Sequence, residues 1–309
     1  MIQIKSRTKK QLILHSMLLP GTLLLLVFNV LPMLGIWMAF SKYQPKAGMG
    51  YFEALFSADY VGFSFFQQIF SRPDFKRVLF NTVFISVVKL VLLIGLGILL
   101  SLLLNEIPFI RLKKGIQVIV FIPYFLSWVI LSSIMIDLLS LTGPINRAIE
   151  ALGGKAVSFL GSNTWFPFVL FVSELWKSLG YQAIYFLAAI TAVSPGLYEA
   201  AEIDGANRVQ QCFHVTLPCI RPIIILMVVL NIGNIMNAGF EQVLALYNPL
   251  VYESGDIIDT MSYRIGLINR STFQYSLGTA VGLFKSVICC ILFGASYLFA
   301  AKKLDYEVL

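Results

Sequence analysis

The chain has 309 residues, of which 58% are hydrophobic and 13% charged, and its mean hydropathy is +0.82. Soluble domains run near 45–50% apolar and about 25% charged, so this composition excludes an ordinary water-soluble fold. The net charge of +7 and pI near 9.2 fall largely beside apolar runs. No basic stripe interleaved with aromatics occurs, which argues against a nucleic-acid partner.

The opening MIQIKSRTKK is basic and leads into an apolar run over residues 12–40. A secretory signal core is only about 7–15 residues long, so this run reads as a retained first span, with Pro20 and Pro32 placed to kink it. Five more runs follow, at 79–104, 116–139, 166–190, 222–245 and 277–300. Each has the roughly 20 residues needed to cross about 30 Å of hydrocarbon, and Pro123 interrupts the third. The prediction is an all-α, polytopic membrane protein with six transmembrane helices. Its divisions are a tail (1–11), the first span and its following loop (12–77), a core of five spans (78–300) and a second tail (301–309).

Six crossings put both termini on one side. The candidate inner segments carry Lys5, Arg7, Lys9, Lys10, Arg111, Lys113, Lys114, Arg208, Arg221, Lys302 and Lys303. The longer outer ones carry Lys42, Lys46, Arg72, Lys76, Arg77, Arg147, Lys155, Arg264 and Arg270. The positive-inside rule then favours cytoplasmic termini. The four cysteines, Cys212, Cys219, Cys289 and Cys290, have no metal or CxxC spacing, and with only His15 and His214 beside them they read as free thiols.

Charges at membrane depth are costly, about 2.5–3.5 kcal/mol each on insertion scales, so each is a candidate for function. The fourth run places Glu174, Lys177 and Tyr181 on one helical face, with Ser178 and Trp176 nearby. The fifth carries Asn231, Asn234 and Glu241 at i, i+3 and i+10, with Asn237 close by. Two readings stand beside each other: a lining for a polar pathway, or interhelical amide bonds with a local Glu174–Lys177 ion pair. Lys89 and Lys285 are expected to snorkel or to pair with a neighbouring helix, and Gly278 and Gly282 to let two helices approach closely.

Between the fourth and fifth runs lies SPGLYEAAEIDGANRVQQCFHVTLPCIRP, residues 194–222. Pro195 starts a short helix, Gly205 breaks it, a second helical stretch begins at Ala206, and Pro218 is expected to end that stretch before the next span. Glu199, Ala200 and Ala201, then Gly205 after three residues, then Val215-Thr216-Leu217-Pro218, resemble the EAA motif of the permease subunits of binding-protein-dependent ABC importers. Val215 stands where that family has isoleucine. The likeness extends over roughly residues 78–300, with Asn81 and Thr82 opening the second run. GFEQVLALYNPLVY, IIDTMSYRIGL and TAVGLFKS are similar to the subset that imports oligosaccharides released from polysaccharides.

The resemblance implies a type I importer permease fold of the maltose-permease-like class in the cytoplasmic (inner) membrane of a bacterium. It assigns ATPase coupling to Glu199, Ala200, Ala201, Asp204 and Gly205. Its sugar site, on the same two helices, extends the pathway reading to Glu174, Lys177, Tyr181, Asn231, Asn234, Asn237 and Glu241. Implied partners are a second, non-identical permease, two cytoplasmic ATPase subunits, an external or periplasmic solute-binding protein, a saccharide and the bilayer; the alternative cargo is a non-sugar solute. No cofactor is expected in this chain, with ATP and Mg bound by the partner ATPase. The nearest fragment to a phosphate-binding loop, Gly153-Gly154-Lys155, has Ile149 where the first glycine belongs and Ala156 after the lysine. With no nucleophile elbow either, the chain is not expected to be an enzyme.

Overall fold

A computed structural model describes residues 2–45, 48–269 and 272–303, and apart from one isolated bridge between Ser41 and Tyr60 its regular elements are all helical. The basic residues Lys46 and Arg270, and the end of the C-terminal tail from 304 onward, lie outside the described residues. Five helical stretches are long and apolar enough to cross a membrane: His15–Phe40, Phe75–Asn105, Trp128–Ala151, Arg208–Gly233 and Gln274–Lys302. Phe166–Thr191 joins Pro195–Ile203 across a 70° bend, and counting that pair brings the total to six.

The chain forms two compact units, one of Met1–Ser71 with Ser262–Leu283 and one of Arg72–Met261 with Phe284–Leu309. In the first, the opening helix runs from Ile2 to Leu25 with Pro20 inside it. It loosens into a π turn at Leu26–Val30 and tightens into a 3₁₀ stretch over Leu31–Phe40, with Pro32 in its first turn. Tyr43, Ala54 and Leu55 form a small core, and the Ser276 hydroxyl accepts from the Tyr43 amide at 3.0 Å and donates to the Ser41 carbonyl at 2.7 Å. Of the two glycines expected at a close crossing, Gly278 is at one: an added Cβ would stand 2.7 Å from the Gly266 Cα. Around Gly282 an added Cβ would meet nothing within 4 Å, so only half of that pair is packed as expected.

In the second unit the second span, Phe75–Asn105, lies along the fourth, Phe166–Thr191. Ile85, Phe166, Leu170, Val243, Leu246 and Ile257 form the buried core between them. The outward face of the second span remains apolar, with Phe80 66% and Val91 64% exposed, as a surface against hydrocarbon requires. Asn81 is buried and donates to the carbonyls of Glu253 (3.0 Å) and Asp256 (3.2 Å), while Thr82 accepts from the Ile258 amide at 2.9 Å. The pair that opens this span thereby satisfies irregular backbone packed against it.

The expected interruption of the third run at Pro123 is seen, and two other expectations are corrected. The third run is not one helix: Ile110–Phe121 ends in a 3₁₀ turn at Ile122–Phe125, and a new helix starts at Trp128, capped by the Ser127 hydroxyl. Pro123 lacks the N–H that a continuous ladder needs. Pro218 does not end a helix. The helix capped by Asn207 passes from Arg208–Gln211 through a π turn at Cys212–Thr216 into Leu217–Gly233, so the proline lies inside a continuous helix, directly after the π turn that already interrupts the regular i→i−4 ladder. The fifth run stops early, at Gly233, with Ala238 (φ +39°) and Gly239 (φ +83°) separating it from the short helix Phe240–Leu246.

Candidate functional site

Two polar regions carry the residues singled out by sequence. The first is the helix Pro195–Ile203. It ends in a Schellman turn: Gly205 (φ +78°) donates its amide to the Glu202 carbonyl, and the Ala206 amide donates to Ala201. Glycine takes this left-handed geometry at no Cβ cost. Asn207 and Gln210 then form a reciprocal capping box that starts the fifth span. Glu199, Ala200, Asp204 and Gly205 are exposed and Ala201 is half-buried. Ile203, at the tip, is 87% exposed, an apolar group held out beside carboxylates.

Behind this helix, Tyr198 and Thr216 share a hydrogen bond of 3.0 Å, tying the short helix to the base of the fifth span. The exposed Glu202–Arg208 pair, 3.5 Å apart, adds little in water. A cavity of about 710 Å³ opens here, walled by Leu99 and Leu103 of the second span, Tyr198 and Glu199 of the short helix, and Val209 and Phe213.

The second region lies at the breaks in the third and fifth spans. Lys89, only 6% exposed, reaches from the second span to donate to the Ala238 carbonyl at 2.8 Å and to the Gln242 side-chain oxygen, with Glu174 Oε2 3.6 Å away. Gln242 turns its amide nitrogen to the Leu170 carbonyl and the Ser173 hydroxyl, both at 2.8 Å. Glu174 accepts from Ser178 at 2.6 Å. Removing one member of such a buried charge pair typically costs about 3–5 kcal/mol.

Lys177 donates to the carbonyls of Tyr124 and Leu126, so it satisfies the broken third span instead of pairing locally with Glu174. Beside it Tyr181 stacks on Tyr124, centroids 4.0 Å apart, and bonds to Tyr185. Gly180 makes this contact possible, since a Cβ there would stand 2.7 Å from the Val120 carbonyl carbon.

Of the remaining expected lining residues, Asn231 and Asn234 donate to carbonyls of their own helix, Met227 at 2.7 Å and Leu230 at 3.2 Å, and Asn237 donates to Asn234. The interhelical amide bonds of the alternative reading are not what these three groups make. Asn237 and Glu241 meet at a cavity of about 370 Å³ with Trp128, Gly239, Asp259 and Lys285, and Lys285 is paired with Asp259 at 2.7 Å. Because the helix stops at Gly233, Glu241 does not continue the face of Asn231 and Asn234. Trp176 is 43% exposed and is not part of that wall.

Sequence reading missed Gln242, Trp128 and the Ala238–Gly239 break. The signal was present in Asn237-Ala238-Gly239, a helix-stop pattern inside an apolar run. No group of three His, Cys, Asp or Glu able to hold a metal occurs among the described residues, and all four cysteines are free thiols.

Long apolar helices, a bent helical loop with exposed carboxylates, and polar groups gathered at intramembrane breaks together define a membrane-embedded transport subunit. Residues 93–305 match the family described as binding-protein-dependent transport system inner membrane component, and the chain belongs to it. It is 41% identical to protein LplB of Bacillus subtilis over 95% of this chain and 90% of that one. It is 40% identical to the polygalacturonan/rhamnogalacturonan transport system permease protein YteP of the same organism, over 92% and 86%. A chain of the bacterial alginate ABC transporter, solved in complex with an alginate pentasaccharide-bound periplasmic protein, superposes with a TM-score of 0.87 at 33% identity, covering 98% of this chain and 99% of that one. The protein is therefore a permease subunit of an ABC importer, a transporter component and not an enzyme.

Proposed function

We propose that this chain is the pore-forming permease of an importer for oligosaccharides released from polysaccharides, with ATP hydrolysed by a separate subunit. The observation that carries the pathway is the cavity at the fifth-span break, where an amide (Asn237), a carboxylate (Glu241) and an indole (Trp128) face the same space. A sugar offers hydroxyls to the first two and an apolar ring face to the third. The polygalacturonan permease and the alginate transporter among its relatives support a saccharide over a non-sugar solute.

In this reading a second, homologous but non-identical permease supplies the other half of the pathway. Two cytoplasmic ATPases, which hold ATP and Mg, dock on Glu199, Ala200, Ala201, Asp204 and Gly205, and a solute-binding protein delivers the sugar from outside. Closure of the ATPases turns the helices around the pathway, and the solute contributes only through its difference in affinity between inward and outward states.

Alanine at Tyr181, Asn231, Asn234 or Asn237 tests the pathway. Losing a sugar hydrogen bond is worth about 1 kcal/mol, so uptake should fall several-fold, not vanish. The deciding measurement is the relative uptake of two competing saccharides per assembled complex. An unchanged ratio in all four variants would remove the pathway role.

Cytoplasmic termini are part of the same proposal. Lys155 and Arg208 are both exposed, so a thiol introduced at either can react. An impermeant maleimide should reach Lys155→Cys in intact cells and Arg208→Cys only after permeabilisation, in a background freed of the four native cysteines. Labelling of both from one face would overturn this topology.

A further inference from the structure

We infer that Lys89 is a positioning residue of the transport cycle: it pins the intramembrane break at Ala238 and Gly239, and so sets where Asn237 and Glu241 stand in the cavity. The inference rests on the pathway proposed above. A lysine in an apolar span ordinarily extends toward the membrane surface, yet Lys89 turns inward and is 6% exposed. Its ammonium ends on two oxygens, the Ala238 carbonyl within the break and the Gln242 side chain in the helix that follows it. Gln242 cannot turn away, because Leu170 and Ser173 of the fourth span accept from its nitrogen at 2.8 Å.

Backbone that leaves the helical ladder at membrane depth needs its polar groups met by protein, and here one cation meets the Ala238 carbonyl and ties it to the Gln242 side chain. Ala238 holds φ +39°, which a non-glycine residue rarely adopts. Gly239 gives the ammonium its approach, since a Cβ there would lie 2.6 Å from Lys89 Nζ. Glu174, 3.6 Å off, supplies the countercharge. The second, fourth and fifth spans thus converge on one ammonium, and Asn237 and Glu241 flank the segment it holds.

Two variants separate this role from simple packing. Lys89→Gln/Glu174→Gln removes both charges together, leaving neither unpaired. Lys89→Arg keeps both charges but puts a bulkier guanidinium where the ammonium fits beside Gly239, leaves the left-handed backbone of the break unsubstituted, and decides the question should the double variant not assemble. Each is reconstituted with its partner subunits, and two quantities are read per assembled complex: saccharide uptake per ATP hydrolysed, and the rate at which a cationic methanethiosulfonate modifies Asn237→Cys in a background free of native cysteines. The expected result is at least a fivefold fall in uptake per ATP, measured without the added cysteine, together with at least a threefold change in the modification rate. An altered rate with wild-type uptake per ATP would reduce Lys89 to a packing residue and overturn the inference, as would an unaltered rate. Absence of saccharide uptake by the wild-type complex would sink the saccharide reading instead, and the modification rate would then decide alone whether Lys89 holds the break.

Discussion

Replacing Gly205 by tryptophan, or Glu199 by lysine, is expected to abolish both uptake and solute-stimulated ATP hydrolysis while leaving the chain inserted. The turn at Gly205 is exposed and left-handed, and an added Cβ would meet nothing within 4 Å. The local cost of a side chain there is backbone strain of about 1–2 kcal/mol, too little to unfold a helical membrane core. What an indole would do is occupy the space in front of the short helix, where the proposed docking would bring an ATPase groove close to Ala200 and Ala201. Glu199→Lys leaves the backbone untouched and reverses an exposed charge on the same proposed docking helix. Uptake in cells, ATPase activity of the reconstituted complex and the amount of chain in the membrane fraction are measured in parallel. Normal transport by either variant would remove the coupling role from this helix.

Gly180→Val is expected to have the opposite pattern, loss of the protein itself. Its Cβ would be forced to within 2.7 Å of the Val120 carbonyl carbon and 3.1 Å of the Phe121 Cα. These are backbone atoms at the end of the helix Ile110–Phe121, just before the Tyr124 and Leu126 carbonyls that Lys177 holds. Overpacking a core usually costs about 1–3 kcal/mol, and a clash with immobile backbone belongs at or above the top of that range. Gly95, in the second span, is the control, because an added Cβ there meets nothing within 4 Å. The yield of monodisperse protein after detergent extraction, and its thermal aggregation temperature, should fall sharply for Gly180→Val and stay near wild type for Gly95→Ala. Equal yields for the two would mean that the third and fourth spans do not touch as described.

The spans, the short helix after Ser194 and its glycine turn were readable because each depends on local rules: apolar run length, proline at a helix start, glycine at its end. The breaks were harder. Pro123 marked one, but the Lys177 side chain that satisfies its carbonyls is more than 50 residues away, at |i−j| of 53 and 51. No periodicity connects such positions. Glu174 and Lys177, one turn apart, invited a local pair, and the fold instead sends each to a different helix, because freed carbonyls and a buried ammonium demand partners first. The stripe from Asn231 to Glu241 assumed an unbroken helix, whereas Asn237-Ala238-Gly239 carried the stop signal inside a run whose hydropathy concealed it. The Pro218 misreading has the same root: a π turn can carry a helix past proline, and composition gives no sign of it.

The unbroken course from Arg208 to Gly233 has a mechanical corollary. Twenty-six residues at about 1.5 Å each make a rod roughly 39 Å long, with the exposed turn at one end and the broken, amide-bearing segment at the other. Such a rod carries torque as well as thrust. Each residue added to or removed from it would spin the far end by about 100°, while a change of seven would bring it nearly back into phase. The phase between the two ends is thus a property of the chain separate from the identity of any side chain, and the π turn at Cys212–Thr216 offsets it from that of a regular α-helix.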